Sequence, residues 1–122
     1  MPLRRRLAYI AASVIAAAGM MSGHWLAETS RAAGRESPLA QSLGVLSWVV
    51  AGAVAALIDR TVPAHAVGVA SLALPLVWFG MILVSEPNGL WLLGLGAMAV
   101  FALIAGLSAA ATKAALRLAA RA

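Results

Sequence analysis

The sequence contains no cysteine. This absence excludes disulfides, thiolate metal sites, iron–sulfur clusters and cysteine nucleophiles. Charged residues are also scarce, at 11% of the chain, and aromatic residues make up only 6%. Soluble domains usually carry about 25% charged residues. A chain this poor in charge is therefore expected to have a lipid bilayer as its main solvent.

Motifs for catalysis are missing as well. The sequence shows no carboxylate pair, no Ser/His/Asp arrangement, no phosphate-binding glycine loop and no nucleotide motif. Its two histidines and scattered acids fall short of the three or four convergent ligands that a zinc site needs. We therefore expect no enzyme activity, no catalytic residue, no metal and no cofactor, and we recognise no known family.

Hydrophobic residues make up 63% of the chain, and the mean hydropathy is +0.95. Four apolar runs, each long enough to cross a hydrocarbon core of about 30 Å, occupy residues 7–27, 39–58, 66–84 and 90–112. They predict an all-α membrane protein in which residues 1–122 form one integral membrane domain, an antiparallel bundle of four transmembrane helices. A cleaved signal peptide is the alternative for the first run, because it follows basic residues and contains an alanine triplet.

The basic residues flank the apolar runs, and they carry the net charge of +5. Lys and Arg are enriched on the cytoplasmic side of membrane proteins, so we expect both termini there (N-in, C-in). We read residues 113–122 as a basic amphipathic tail, and we expect no nucleic-acid binding. The excess of arginine over lysine and the abundance of alanine suggest a GC-rich bacterial genome. We therefore expect a multi-pass protein of the bacterial inner membrane. The residues expected to anchor the inner leaflet are Arg4, Arg5, Arg6, Lys113, Arg117 and Arg121.

Small residues recur at intervals of four in three of the apolar runs. Such spacing permits close approach of helices in a bilayer, either inside the bundle or toward a second copy or another subunit. The predicted packing residues are Gly19, Gly23, Gly52, Ala56, Ala102, Gly106 and Ala110.

A few polar or helix-breaking residues lie within or beside the runs. Pro75 predicts a kink in the third helix and leaves the carbonyl of Ser71 without its helical donor. Trp48 lies in the middle of the second run, where its indole N–H needs a partner such as a nearby serine. His24, Glu28 and Glu86 are expected at one depth near the outer surface. These six residues define a possible transport pathway, although packing and ordinary solvation also account for them.

The apolar runs contain no charged residue, whereas ion-coupled carriers usually keep one inside the membrane. The leading hypothesis is therefore a non-enzymatic accessory or scaffolding subunit, or a homo-oligomer, that acts through helix packing. Its expected partners are the lipid bilayer and a larger membrane complex or further copies. A small-solute or ion transporter or channel is the first alternative, and a holin-like pore-forming protein is the second.

Overall fold

The computed structural model describes residues 2–34, 38–85, 89 and 91–121. All regular secondary structure within these ranges is helical: α1 (Leu3–Ala32), α2 (Pro38–Ile58), α3 (Ala64–Ser71), α4 (Ala73–Ser85) and α5 (Trp91–Arg121). Because only Leu72 separates α3 from α4, the described residues form four helices long and apolar enough to cross a membrane. The prediction of an all-helical chain with four candidate spans is confirmed. The membrane orientation and the kink at Pro75 stay predictions.

Two of the helices extend well beyond their apolar runs. α1 has 30 residues and α5 has 31, and at about 1.5 Å per residue each is some 45 Å long. α1 ends at Ala32, and Gly34, two residues later, has a φ of 74°, a conformation that glycine adopts without strain. α5 continues unbroken through the predicted basic tail as far as Arg121, so the described part of this tail is the last section of a long helix.

The contacts between helices define an antiparallel bundle. Along α1 and α2, Gly19 lies against Ser47, and Gly23 lies against Ala40. The backbones of α3 and α5 meet in the same antiparallel sense, with Gly68 at Ala102 and Gly106 at Ala64. α2 packs on both α1 and α5, while α3 packs chiefly on α5 and α1. α2 and α3 therefore lie across the bundle from each other.

Alanine dominates the interior of this bundle. The buried alanines repeat along one face of α1, of α2 and of α5, and the largest fully buried side chain is that of Trp48. Many leucines and valines point outward instead; Leu103 and Leu107, for example, are exposed. Small residues inside and large apolar residues outside suit helix packing in lipid, where close backbone contact drives association. The alanines concerned are Ala8, Ala12, Ala16, Ala51, Ala55, Ala105 and Ala109.

Candidate functional site

Polar side chains gather at the two ends of the bundle. One end, here called the basic end, carries Arg4, Arg5, the turn at residues 59–63 and Lys113. The opposite end, here called the cleft end, carries His24, Glu28, Gln41 and Trp78. The two ends differ in how these side chains are held.

The helices separate at the cleft end. A cleft of about 360 Å³ lies between α1, α2, α4 and α5, and a neighbouring cleft of about 320 Å³ shares His24 and Trp78 with it. Small residues create this space: a Cβ added at Gly44 would meet no atom within 4 Å. The larger cleft is lined by Met20, Gly23, His24, Ala40, Gln41, Gly44, Val45, Trp78 and Phe101.

His24 and Glu28 form the main polar feature of the cleft end. The His24 Nε2 and Glu28 Oε1 atoms are 3.1 Å apart, and the two side chains are 45% and 63% exposed. The ring of His24 also meets that of Trp78 edge to face, with centroids 5.3 Å apart. Both members of the pair belong to α1, so their contact joins no two helices. Glu86, the third residue predicted for this surface, lies outside the described residues.

Trp48 lies just beneath the larger cleft. It is fully buried, and its ring stacks on Phe101, whose own side chain lines the cleft. The indole Nε1 is buried, and no described residue accepts a hydrogen bond from it. The serine partner expected from the sequence is therefore not found in this part of the chain. A buried donor without an acceptor is costly, which makes this N–H a place for a water molecule or a ligand atom.

Ser13, Ser71 and Pro75 are buried at the break between α3 and α4. The backbone N–H of Leu74 donates to the Ser13 hydroxyl at 2.9 Å, and the Ser71 hydroxyl donates to the carbonyl of Gly68 at 2.7 Å. Hydroxyl groups of two different helices thus satisfy the interrupted backbone. Ser71 and Pro75 line neither of the two clefts. The predicted pathway residues that the structure describes are therefore divided between the cleft end, the cleft floor and this buried break.

Hydrogen bonds between distant parts of the chain close the basic end. Asp59 Oδ1 accepts from the Thr61 hydroxyl at 2.6 Å and from the Thr61 backbone N–H at 2.9 Å. Arg5 Nη2 donates to Thr61 Oγ1 at 3.4 Å, and Lys113 Nζ donates to the carbonyl of Val62 at 2.9 Å. The turn is thereby tied to the start of α1 and to the later part of α5.

The pKa of Asp59 is lowered by this arrangement. The hydrogen bond from the Thr61 hydroxyl has the largest effect, followed by that from the Thr61 backbone N–H. The positive charges of Arg5 and Arg4 lower the pKa further, although partial burial opposes them. Hydrogen bonds and nearby cations both favour the ionised carboxylate, so Asp59 is charged at neutral pH.

A third feature is an apolar groove on the outer surface between α3 and α5, with a volume of about 480 Å³. Gly68 and Gly106 allow the two backbones to meet at its base, where a Cβ on Gly68 would lie 2.7 Å from the Ala102 carbonyl oxygen. Three predicted packing residues, Ala102, Gly106 and Ala110, line it.

No protein-family model, curated protein or solved structure matches this chain.

The remaining predicted packing residues lie within the bundle. Gly19 and Gly23 face α2, and a Cβ on Gly52 would overlap the carbonyl oxygen of Ala105 in α5. Ala56 is fully buried. Gly68 was missing from the prediction because its small partner four residues earlier, Ala64, lies outside the predicted third run of residues 66–84. Its contact with α5 depends on how the two helices meet.

Three of the polar contacts were also missed from the sequence. Lys113 was assigned to the leaflet surface, whereas its amine donates to a backbone carbonyl of the turn. The Asp59–Thr61 bond has a local signal, because an aspartate often caps the backbone two residues later in a turn. The bond from Leu74 to Ser13 has no such signal, since it joins residues 61 positions apart.

Proposed function

We propose that this chain is a small, non-enzymatic, multi-pass protein of the bacterial inner membrane that acts through helix packing, either as an accessory or scaffolding subunit or as a homo-oligomer. The observation that carries the proposal is the groove between α3 and α5. Its lining contains no Asp, Glu, Lys or Arg, and it combines small residues with leucines and His65. Such a surface accepts a further transmembrane helix, because small residues permit close backbone contact.

The closed basic end supports packing over conduction. A conduit needs a polar path from one end to the other, whereas Ser71, Pro75 and Trp48 are buried among apolar side chains. The hydrogen bonds of Lys113 and Arg5 also tie the turn to α5 and α1. The polar groups of the described residues therefore stabilise this fold at one end and do not continue the cleft through it.

The test is native mass spectrometry of the tagged protein, extracted gently from its own membrane at native expression level. We expect recovery with a stoichiometric unrelated subunit, or as a defined homo-oligomer. Ala110 is exposed in the groove, so Ala110→Phe should abolish the assembly while leaving the monomer folded. Val50→Phe, at an exposed position on α2, is the matched control. A wild-type chain recovered only as a monomer would contradict the proposal.

A small-solute or ion conduit is the second candidate, and the cleft beside His24, Gln41 and Trp78 favours it. Gly44→Leu should fill this cleft without a backbone clash, because space is open at Gly44. If the chain conducts, flux into proteoliposomes should fall at least several-fold in this variant. Unchanged flux, or none in the wild type, would count against conduction.

No feature of the described residues specifically favours a holin-like pore. That alternative predicts rapid loss of the membrane potential when the chain is overexpressed, which a packing subunit should not cause. Dye uptake by intact cells provides the measurement.

A further inference from the structure

Basic side chains outnumber acidic ones around the turn at the basic end. Arg4 and Arg5 act on the carboxylate of Asp59, Arg60 follows it directly in the sequence, and Lys113 reaches the carbonyl of Val62. Of the other three acids, Glu28 lies at the opposite end of the bundle, and Glu36 and Glu86 lie outside the described residues. Four basic residues thus lie on or beside a turn that carries one described acid.

The contacts at this end leave most of the positive charge without a counterion. Asp59 is already engaged by two hydrogen bonds from Thr61. Lys113 donates to a neutral carbonyl, and the guanidinium of Arg5 makes one long hydrogen bond of 3.4 Å to a hydroxyl. Arg4 and Arg60 are exposed. A cluster of this composition favours an anion with several acceptor oxygens.

Apolar side chains beside the cluster indicate which anion it is. Leu7 is exposed and lies three residues from Arg4 on α1, and Leu57 is exposed and lies three residues before Arg60. α1 thus presents an apolar residue about one turn from Arg4, and α2 presents one near its end, just before the turn that carries Arg60. Phospholipids have the matching construction, with a phosphate diester above acyl chains, and basic clusters at helix ends bind anionic headgroups.

We propose that the basic end binds one anionic phospholipid, whose phosphate contacts Arg4, Arg5 and Arg60 while its acyl chains lie along Leu7 and Leu57. The bound lipid connects the start of α1 to the turn after α2, and Lys113 holds that turn against α5. The site rests on the proposed membrane location but not on a protein partner.

The experiment is thermal unfolding of the full chain in a neutral detergent, with phosphatidylglycerol or phosphatidylcholine added. Phosphatidylglycerol should raise the midpoint, and phosphatidylcholine should not. Each base near a charged headgroup contributes roughly 1 kcal/mol, so Arg60→Gln should raise the phosphatidylglycerol concentration for half the effect about five-fold. Arg31→Gln removes the same charge at the opposite end and should leave this phosphatidylglycerol concentration unchanged.

Three outcomes would overturn the proposal. If Arg31→Gln raised the phosphatidylglycerol concentration for half the effect as much as Arg60→Gln, the lipid would be attracted only by the net charge of the chain. The same stabilisation by inorganic phosphate alone would assign the cluster to a free anion. No stabilisation by phosphatidylglycerol would show that the cluster holds no lipid. Arg4→Gln provides an independent second variant, and native mass spectrometry of the wild type should show one retained phosphatidylglycerol whether or not a protein partner is present.

Discussion

The two ends of the bundle use polar side chains in opposite ways. At the basic end, Arg5 and Lys113 bond to a turn that lies 56 and 51 residues away in the sequence. At the cleft end, His24 contacts Glu28 of the same helix, and Ser85 donates to the carbonyl of Met81 in its own helix. Bonds between distant residues hold helices together, whereas bonds within one helix leave its neighbours free to separate. The side-chain hydrogen bonds of the cleft end therefore do not hold its helices together, unlike those of the basic end.

The glycines of α2 follow the same division. Glycines between the middle of the bundle and the basic end let backbones touch, as Gly52 does against Ala105 and Gly68 against Ala102. Gly44 faces open space at the cleft end instead. The same residue type thus permits contact in one half of α2 and leaves a void in the other.

The largest expected effect compares two glycines of α2, substituted identically. In Gly52→Ala the new Cβ overlaps the backbone oxygen of Ala105, which cannot move without shifting α5, so unfolding should become easier by about 1–3 kcal/mol or more. Gly44→Ala meets open space and should be neutral, or stabilising by up to about 1 kcal/mol through helix propensity. Unfolding by SDS in mixed micelles measures both. Equal losses of stability in the two variants would show that both ends are packed alike.

The next effect concerns the buried break between the two ends. Ser13→Ala removes the acceptor of the Leu74 N–H, and an unsatisfied buried donor costs about 1–3 kcal/mol. Ser42→Ala is the control, because its exposed hydroxyl bonds only to the carbonyl of Pro38 in its own helix, and its loss should stay within about 0.5 kcal/mol. The same unfolding assay applies. A neutral Ser13→Ala would mean that the break is satisfied without α1.

A third effect concerns the stability of the folded chain at acid pH, and it depends on the carboxylate of Asp59 at the basic end. The pKa of Asp59 is lower in the folded chain than its ordinary value of 3.8, mainly because of the Thr61 hydroxyl. The carboxylate therefore stabilises the fold fully above that ordinary value, and this contribution is lost as the pH falls through the folded-state pKa. Asp59→Asn should unfold with a weaker dependence on pH in that acid range than the wild type.

Thr61→Val provides the control for this pH dependence. It removes the hydroxyl but keeps the backbone N–H, so its acid sensitivity should lie between those of the wild type and Asp59→Asn. Unfolding midpoints compared from neutral pH down to strong acid give the measurement. If all three chains lose stability in parallel, the acid response arises elsewhere and the basic end is not closed by this carboxylate.

The predictable and unpredictable parts of this fold have different physical origins. Hydropathy gives the four spans because the hydrocarbon core requires long apolar helices. It misses the true ends of α1 and α5, since backbone hydrogen bonds continue a helix through polar sequence. It also misses the cross-helix bonds of Ser13 and Lys113, which depend on the rotation of each helix about its axis. The rule that a buried indole finds a partner failed at Trp48 among the described residues.

The smallest expected effect is at Glu28. Its side chain is 63% exposed and pairs with His24 one helical turn earlier, and exposed pairs at this spacing contribute at most about 0.5 kcal/mol. Glu28→Gln should therefore leave the SDS unfolding curve nearly unchanged. A loss above about 1 kcal/mol would show that the cleft end is also held by its polar groups, and the contrast between the two ends would fail. A stable variant with reduced flux in proteoliposomes would instead assign the carboxylate to a conduit, because its charge would matter to a passing solute and not to the fold.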